Sequence, residues 1–286
     1  MRNGEQTEGV LVLVGTPIGN LGDLSPRAVE ALRSADAICC EDTRRTGRLL
    51  QHAGLDRPPL VVVNEHTEAR EVPGVLARLR RGDRVAVVSD AGMPGISDPG
   101  ERLVRAAIAA GHPVEVVPGP SAALAALVSS GLAAGRFVFE GFLPRKGPGR
   151  ADRLAAVVAE PRTVVLYEAP HRLTRTVADL VDACGADRRV AVARELTKLH
   201  EEVWRGSLGD ALAWVRAAAP RGEIVLVLDG APAPAPPDEE ALVDALRDEL
   251  AAGATARDAA RAVAARLDVP RRRVYDLATR LAAAGT

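Results

Sequence analysis

The chain has 286 residues, 47% hydrophobic and 26% charged, with a formal net charge of -1. That balance is typical of a globular protein with room for two domains and excludes a disordered chain. It also excludes a protein that coats nucleic acid through a general basic field, so any such contact needs a local patch.

Residues 1–9 are polar and mixed in charge, lack the apolar core of a secretion signal, and read as a disordered N-terminus. The apolar runs that follow are strand-length, too short to cross a membrane. Cys39, Cys40 and Cys184 show no metal-site spacing, which points to a reducing, cytoplasmic setting and no metal centre.

Val10–Val14, Ala37–Cys40, Leu60–Val63, Arg84–Ser89 and Val114–Val117 read as strands. Most are continuous apolar runs without alternation, as expected where helices cover both faces of a parallel sheet. Helices are expected near Ser25-Pro26 and over Thr43–Ala53, Glu71–Arg81 and Pro99–Ala110, completing an N-terminal α/β domain at residues 10–120. A second α/β domain spans 121–230. It opens with an Ala/Leu helix, Ser121–Ser130, and its strands are Phe137–Glu140, Thr163–Glu168, Arg189–Arg194, Glu202–Arg205 and Glu223–Leu228. The short step between the third and fourth of these predicts a hairpin and a mixed sheet. Residues 231–237 form an Ala/Pro linker. Three amphipathic helices then make a helix-turn-helix-like domain over 238–286, with Arg271, Arg272 and Arg273 opening the last helix. Acidic residues roughly balance the arginines across it, so that domain suits docking or a dimer contact better than nucleic-acid contact.

Chemistry concentrates where strands end. Gly15-Thr16-Pro17-Ile18-Gly19-Asn20 turns after the first strand without forming a dinucleotide fingerprint. Ser89–Gly100 carries three glycines, two prolines and two aspartates, and leads from a buried strand toward a helix. In an open α/β sheet that edge binds ligands. Asp90 offers an acceptor to a ribose or an amine, while Asp98-Pro99 reads as a helix start. Pro118–Ala122 is a second such junction, expected to end a strand next to the first. Polar clusters at Glu41–Thr46, Asn64–Thr67, Tyr167–Arg172 and Arg194–Lys198 complete a rim. Its cations, Arg44, Arg45, Arg172, Arg194 and Lys198, give phosphate-binding capacity. Phe142–Arg150 is a basic Gly/Pro-rich loop containing Lys146, suited to an RNA-contacting flap or a plain connection. Lys146 and Lys198 are the only lysines in an arginine-rich chain.

Taken in order, Gly15–Asn20, Glu41–Thr46, Asn64–His66, Ser89–Gly100, Pro118–Ala122, Tyr167–Arg172 and Ala193–Lys198 resemble the small-subunit ribosomal RNA methyltransferase I family. These are cytidine 2′-O-methyltransferases of the tetrapyrrole methylase superfamily. The resemblance implies two α/β domains with S-adenosylmethionine (SAM) in the cleft between them, a homodimer, and 16S rRNA of the small ribosomal subunit as partner. By motif position, Pro17, Asp90, Met93, Ile96, Ser97, Ser121, Ala122, Tyr167, Arg194 and Leu196 would bind SAM. Arg44, Arg45, Lys146, Arg172 and Lys198 would bind RNA. A base beside the ribose hydroxyl would aid transfer. Glu41, His66, Glu168 and Glu195 all qualify, and Glu41 with Glu168 is the pair favoured here. The alternatives are a corrin or porphyrinogen methylase on the same scaffold and a non-catalytic RNA- or nucleotide-binding protein.

Overall fold

The computed structural model describes residues 8–232 and 237–284. The expected disordered N-terminus and the middle of the Ala/Pro linker therefore lie largely outside the described residues. The chain divides into a larger compact unit ending at Ala231 and a smaller one beginning at Pro232.

In the larger unit, strands β1 (Val10–Val14), β2 (Ala37–Cys40), β3 (Leu60–Val62), β4 (Arg84–Val87) and β5 (Val114–Val117) form one sheet. Their order is β3-β2-β4-β1-β5, and every pairing is parallel. Helices α1 (Pro26–Arg33), α2 (Thr43–His52), α3 (Glu68–Arg80) and α4 (Glu101–Ala109) are the crossovers. Leu11, Val12, Ile38 and Cys39 are fully buried, because a separate apolar cluster packs each face of the sheet. That is why these strands read as unbroken apolar runs.

Two details depart from expectation. β4 and β5 are not neighbours: β1 lies between them, so the Gly15–Asn20 turn is flanked by the two richer loops. A parallel sheet needs only right-handed crossovers, and which strand takes the centre is a tertiary matter. Helix α4 begins at Glu101, not Pro99, with Gly100 at φ 132 as its cap residue. Glu68 caps it from the start of α3: its Oε1 accepts the N–H groups of Gly100 (3.0 Å), Arg102 (2.9 Å) and Leu103 (3.2 Å).

The chain continues through α5 (Ala122–Ser130), β6 (Phe137–Phe142), α6 (Pro148–Ala159), β7 (Thr163–Glu168), α7 (Pro170–Cys184), β8 (Arg189–Arg194), β9 (Glu202–Ser207), α8 (Leu208–Ala218) and β10 (Ile224–Leu228). The second sheet has the order β6-β7-β10-β8-β9. β6 and β7 are parallel, β10 runs antiparallel to β7 and β8, and β8–β9 is the expected hairpin. Because β10 is reversed, its first residue, Ile224, lies beside Glu168 and Arg194, the last residues of β7 and β8. One sheet edge thus gathers two strand ends and one strand start. α5 packs Ala123, Ala126 and Leu127 against Val165, Ala191 and Val225 of this sheet.

The smaller unit comprises α9 (Glu239–Ala251), α10 (Ala256–Arg266) and α11 (Arg271–Ala284). Leu242, Leu246, Val263, Val274 and Leu277 form its core. Thr255 caps α10 by accepting the Asp258 N–H, and Asp268 at φ 49 turns the chain into α11. Among the described residues, no helix is long and apolar enough to cross a membrane.

Candidate active site

The inner edges of the two sheets enclose a cleft of about 370 Å³. The loops after β1, β4 and β5 supply Ile18, Asp90–Met93, Ile96–Asp98, Ser121 and Ala122. The second sheet supplies Phe142, Tyr167, Ala193, Leu196 and the start of β10. Most of this wall is apolar. Tyr167 meets Phe139 and Phe142 edge-on, with ring centroids 5.0 and 5.6 Å apart, so part of the wall is aromatic.

Close backbone approach explains the glycines. A Cβ on Gly15 would come within 2.6 Å of the Gly119 backbone, and one on Gly119 within 2.8 Å of Gly15, so the turns after β1 and β5 touch main chain to main chain. Thr16 and Gly92 exchange N–H···O bonds of 2.9 and 3.2 Å, joining the β1 turn to the long β4 loop. Within that loop Gly92, Gly95 and the non-glycine Ser97 all have positive φ, with Ser97 at 60°. Backbone strain of this kind persists only where surroundings impose it, and it collects at ligand sites.

The polar groups form a linked set. Glu41, just after β2, accepts the Asp90 N–H at 3.0 Å, and Asp90 accepts the Asp42 N–H at 3.2 Å. Arg45 on α2 stands 3.4 Å from the other Asp90 oxygen. Burial raises the pKa of both Glu41 and Asp90. Asp98 moves furthest, to about 7, pushed first by burial and then by the Glu41 charge, with Ser89 pulling the other way. A carboxylate half-protonated near neutral pH and lining a cleft has the profile of a general base.

The sequence profile of the tetrapyrrole (corrin/porphyrin) methylases matches residues 10–212. The chain is 48% identical over 279 residues to ribosomal RNA small subunit methyltransferase I of Synechocystis sp., covering 97% of this chain and 100% of that one. It is 45% identical over 248 residues to the protein of the same name from Escherichia coli O157:H7, covering 86% and 85%. The chain belongs to the ribosomal RNA small subunit methyltransferase I family of tetrapyrrole methylases. Among solved structures, it is similar to uroporphyrin-III-C-methyltransferase from Thermus thermophilus, with TM-score 0.55 and 25% identity over 77% of this chain and 94% of that one.

For this family member the structure sorts the expected site residues. Asp90, Met93, Ile96, Ser97, Ser121, Ala122, Tyr167 and Leu196 line the cleft together. Pro17 does not: it lines an adjoining cavity. Arg194 does not either, because its side chain turns to Glu202 (2.8 Å) and the Arg221 carbonyl. Glu41 braces the Asp90 loop and is not among the lining residues.

Glu168 lines the cleft, but its carboxylate is engaged on every side. Its side chain is 1% exposed, and its oxygens are taken by the Ala169 N–H, the Thr176 hydroxyl and Arg172 at 3.2 Å. Arg172 in turn donates to the Leu143 carbonyl, so the pair ties β7 to α7 and to the loop after β6. Arg172, expected to bind RNA, has its side chain largely withdrawn from solvent.

Of the other expected RNA contacts, Arg44 is 86% exposed and bound to Asp42, and Lys146 lines a separate shallow depression beside α6. The basic loop is pinned where α6 begins, since Arg150 is buried and bonded to Asp179, Thr176 and the Pro144 carbonyl. Lys198 bridges Glu195 (3.0 Å) and Glu223 (3.1 Å). Burial works against its charge, but these two carboxylates outweigh it and raise its pKa.

Asp98 is the residue that reading the sequence missed. Followed by proline it resembles a helix cap, but Glu68 does that work and leaves Asp98 to the cleft. A second aspartate within one strand-end loop was the available signal.

Proposed function

We propose that this chain is a SAM-dependent rRNA methyltransferase that methylates the ribose 2′-hydroxyl of a cytidine in the decoding region of 16S rRNA. Support for the substrate class comes from the family to which the chain belongs. The chemistry rests on one observation: a mostly apolar cleft lined by Asp98, whose pKa burial raises to about 7.

The donor set fits SAM. Phe142 and Tyr167 offer aromatic, apolar surface to a purine, the glycine-rich turns present free backbone, and Asp90, Asp98 and Glu223 favour hydroxyls and a cationic centre. When bound, SAM supplies a methyl group already activated for transfer. The chain contributes alignment, through the clasped β1, β4 and β5 loops, and a proton acceptor. Asp98 takes the proton of the attacking hydroxyl at its carboxylate. Glu41 assists indirectly, because its charge keeps Asp98 basic enough to do so. A homodimer and a cytoplasmic location belong to the same reading.

The test is transfer of labelled methyl from SAM to small ribosomal subunits, with mass mapping of the modified nucleotide. The proposal requires a single ribose-methylated cytidine in 16S rRNA. Methylation of a uroporphyrinogen or corrinoid instead would establish the alternative enzyme, and RNA binding without any transfer would establish the non-catalytic one.

A further inference from the structure

A second cavity, also about 370 Å³, adjoins the cleft and shares Ile18, Arg45, Asp90, Ala91 and Glu223 with it as a common wall. That volume lies within the range of small-molecule sites, roughly 300–1,000 Å³. Nothing in the mechanism above uses it.

Its charge is what distinguishes it. Arg45 and Arg48, about one turn apart on α2, line it from the first lobe, and Lys198 lines it from the second. Arg45 is tied to Asp90 and Lys198 to two carboxylates. Arg48 is exposed, and among the described residues its guanidinium makes no ion pair or hydrogen bond. An ammonium has three N–H donors. With two of them on Glu195 and Glu223, Lys198 keeps one to offer the cavity.

Lys198 is also held in place. Its stem lies against Gly19, where a Cβ would come within 2.4 Å of its Cγ. The neighbouring Thr197, at φ 66, accepts the Asn20 N–H at 3.1 Å. The loops after β1 and β8 are thus locked together at the cavity.

We infer that this second cavity seats the acceptor nucleotide, its phosphate held by Arg48 and Lys198 and its ribose reaching over the shared wall toward Asp98 in the cleft. The inference rests on the reading that the substrate is RNA and adds where the substrate sits. Arg45 on Asp90 then marks the boundary between donor and acceptor. The free Arg48 is the cation most available to a phosphate.

The test uses the full chain and small ribosomal subunits, comparing wild type with Arg48→Glu and Arg48→Ala. KM for subunits is expected to rise at least tenfold in Arg48→Glu and less in Arg48→Ala. The dissociation constant for SAM, measured by calorimetry, stays at the wild-type value. The salt slope of RNA binding shrinks by about one, as loss of a single phosphate contact requires. Unchanged KM in both variants, with wild type active, overturns the inference while leaving the methyltransferase reading intact. So does a parallel loss of SAM affinity, which would make the cavity part of the donor site. A wild-type chain that methylates no RNA removes both together.

Discussion

Glu41 and Asp90 hold each other's strand ends in place: Glu41 accepts the Asp90 N–H at 3.0 Å, and Asp90 accepts the N–H of the residue after Glu41 at 3.2 Å. This reciprocal bond fixes the long loop after β4 to the end of β2 and sets a negative charge behind Asp98. Glu41→Gln keeps an acceptor for the Asp90 N–H and removes that charge. A nearby anion disfavours a second one, so its removal lowers the Asp98 pKa. The rising limb of the pH–rate profile is expected to move to lower pH, with the alkaline plateau lowered by less than about tenfold as the base weakens. A plateau collapsed by orders of magnitude would make Glu41 the base itself.

Asp98→Asn tests the base directly. Methyl transfer is expected to fall about 10²–10⁴-fold and to lose its dependence on a group near pH 7. Stability moves the opposite way. The folded-state pKa is raised from 3.8 to about 7, so between those values the folded chain holds a proton that the unfolded chain has lost. Stability therefore declines as pH rises through that window and stays reduced above it. The asparagine variant avoids this cost. It should be the more stable protein at pH 8, by about 1–2 kcal/mol after discounting for the solvent that reaches the group, with no advantage near pH 4. Denaturant melts across pH give the comparison.

Glu168→Ala separates a structural carboxylate from a catalytic one. It strands Arg172 and removes the partner of the Thr176 hydroxyl. Breaking a buried pair from one side costs about 3–5 kcal/mol. Urea melts should show that loss, while the folded fraction retains turnover within about tenfold. Unaltered stability with abolished turnover would restore Glu168 as base.

Gly119→Ala probes the contact between the β1 and β5 turns. The new Cβ would lie 2.8 Å from Gly15 backbone atoms that cannot swing aside. Overpacking of this kind costs about 1–3 kcal/mol, and moving the Pro118–Ser121 turn should weaken SAM binding. Gly135→Ala, where nothing lies within 4 Å, is the matched control and should stay within about 0.5 kcal/mol of wild type.

The elements were legible in the sequence because their causes are local. Runs such as Val10–Val14 and Arg189–Arg194 are apolar enough to demand burial, and Ser25, Thr255 and the glycines punctuate them. The loops that build the cleft were legible for the same reason, since Ser89–Gly100 is too rich in Gly, Pro and Asp to be an ordinary connection. What was hidden depends on who meets whom. Nothing local reveals that β1 separates β4 from β5, or that β10 runs backwards to bring Glu223 to the cleft. Charged residues suffered most. Arg172, Arg194 and Glu168 read as free functional groups until Leu143, Glu202 and Thr176 are seen to engage them. Asp98 was mistaken for a cap because its competitor, Glu68, is thirty residues away.

What the cleft between the lobes holds decides the chemistry of the protein. Calorimetric titration of the full chain with S-adenosylhomocysteine, beside an Ala122→Phe variant that fills the cleft, measures this most directly. One equivalent should bind wild type, and the variant should bind at least about tenfold more weakly, a difference of about 1.4 kcal/mol, with its fold intact by circular dichroism. No binding to wild type, or equal binding by both proteins, would contradict it.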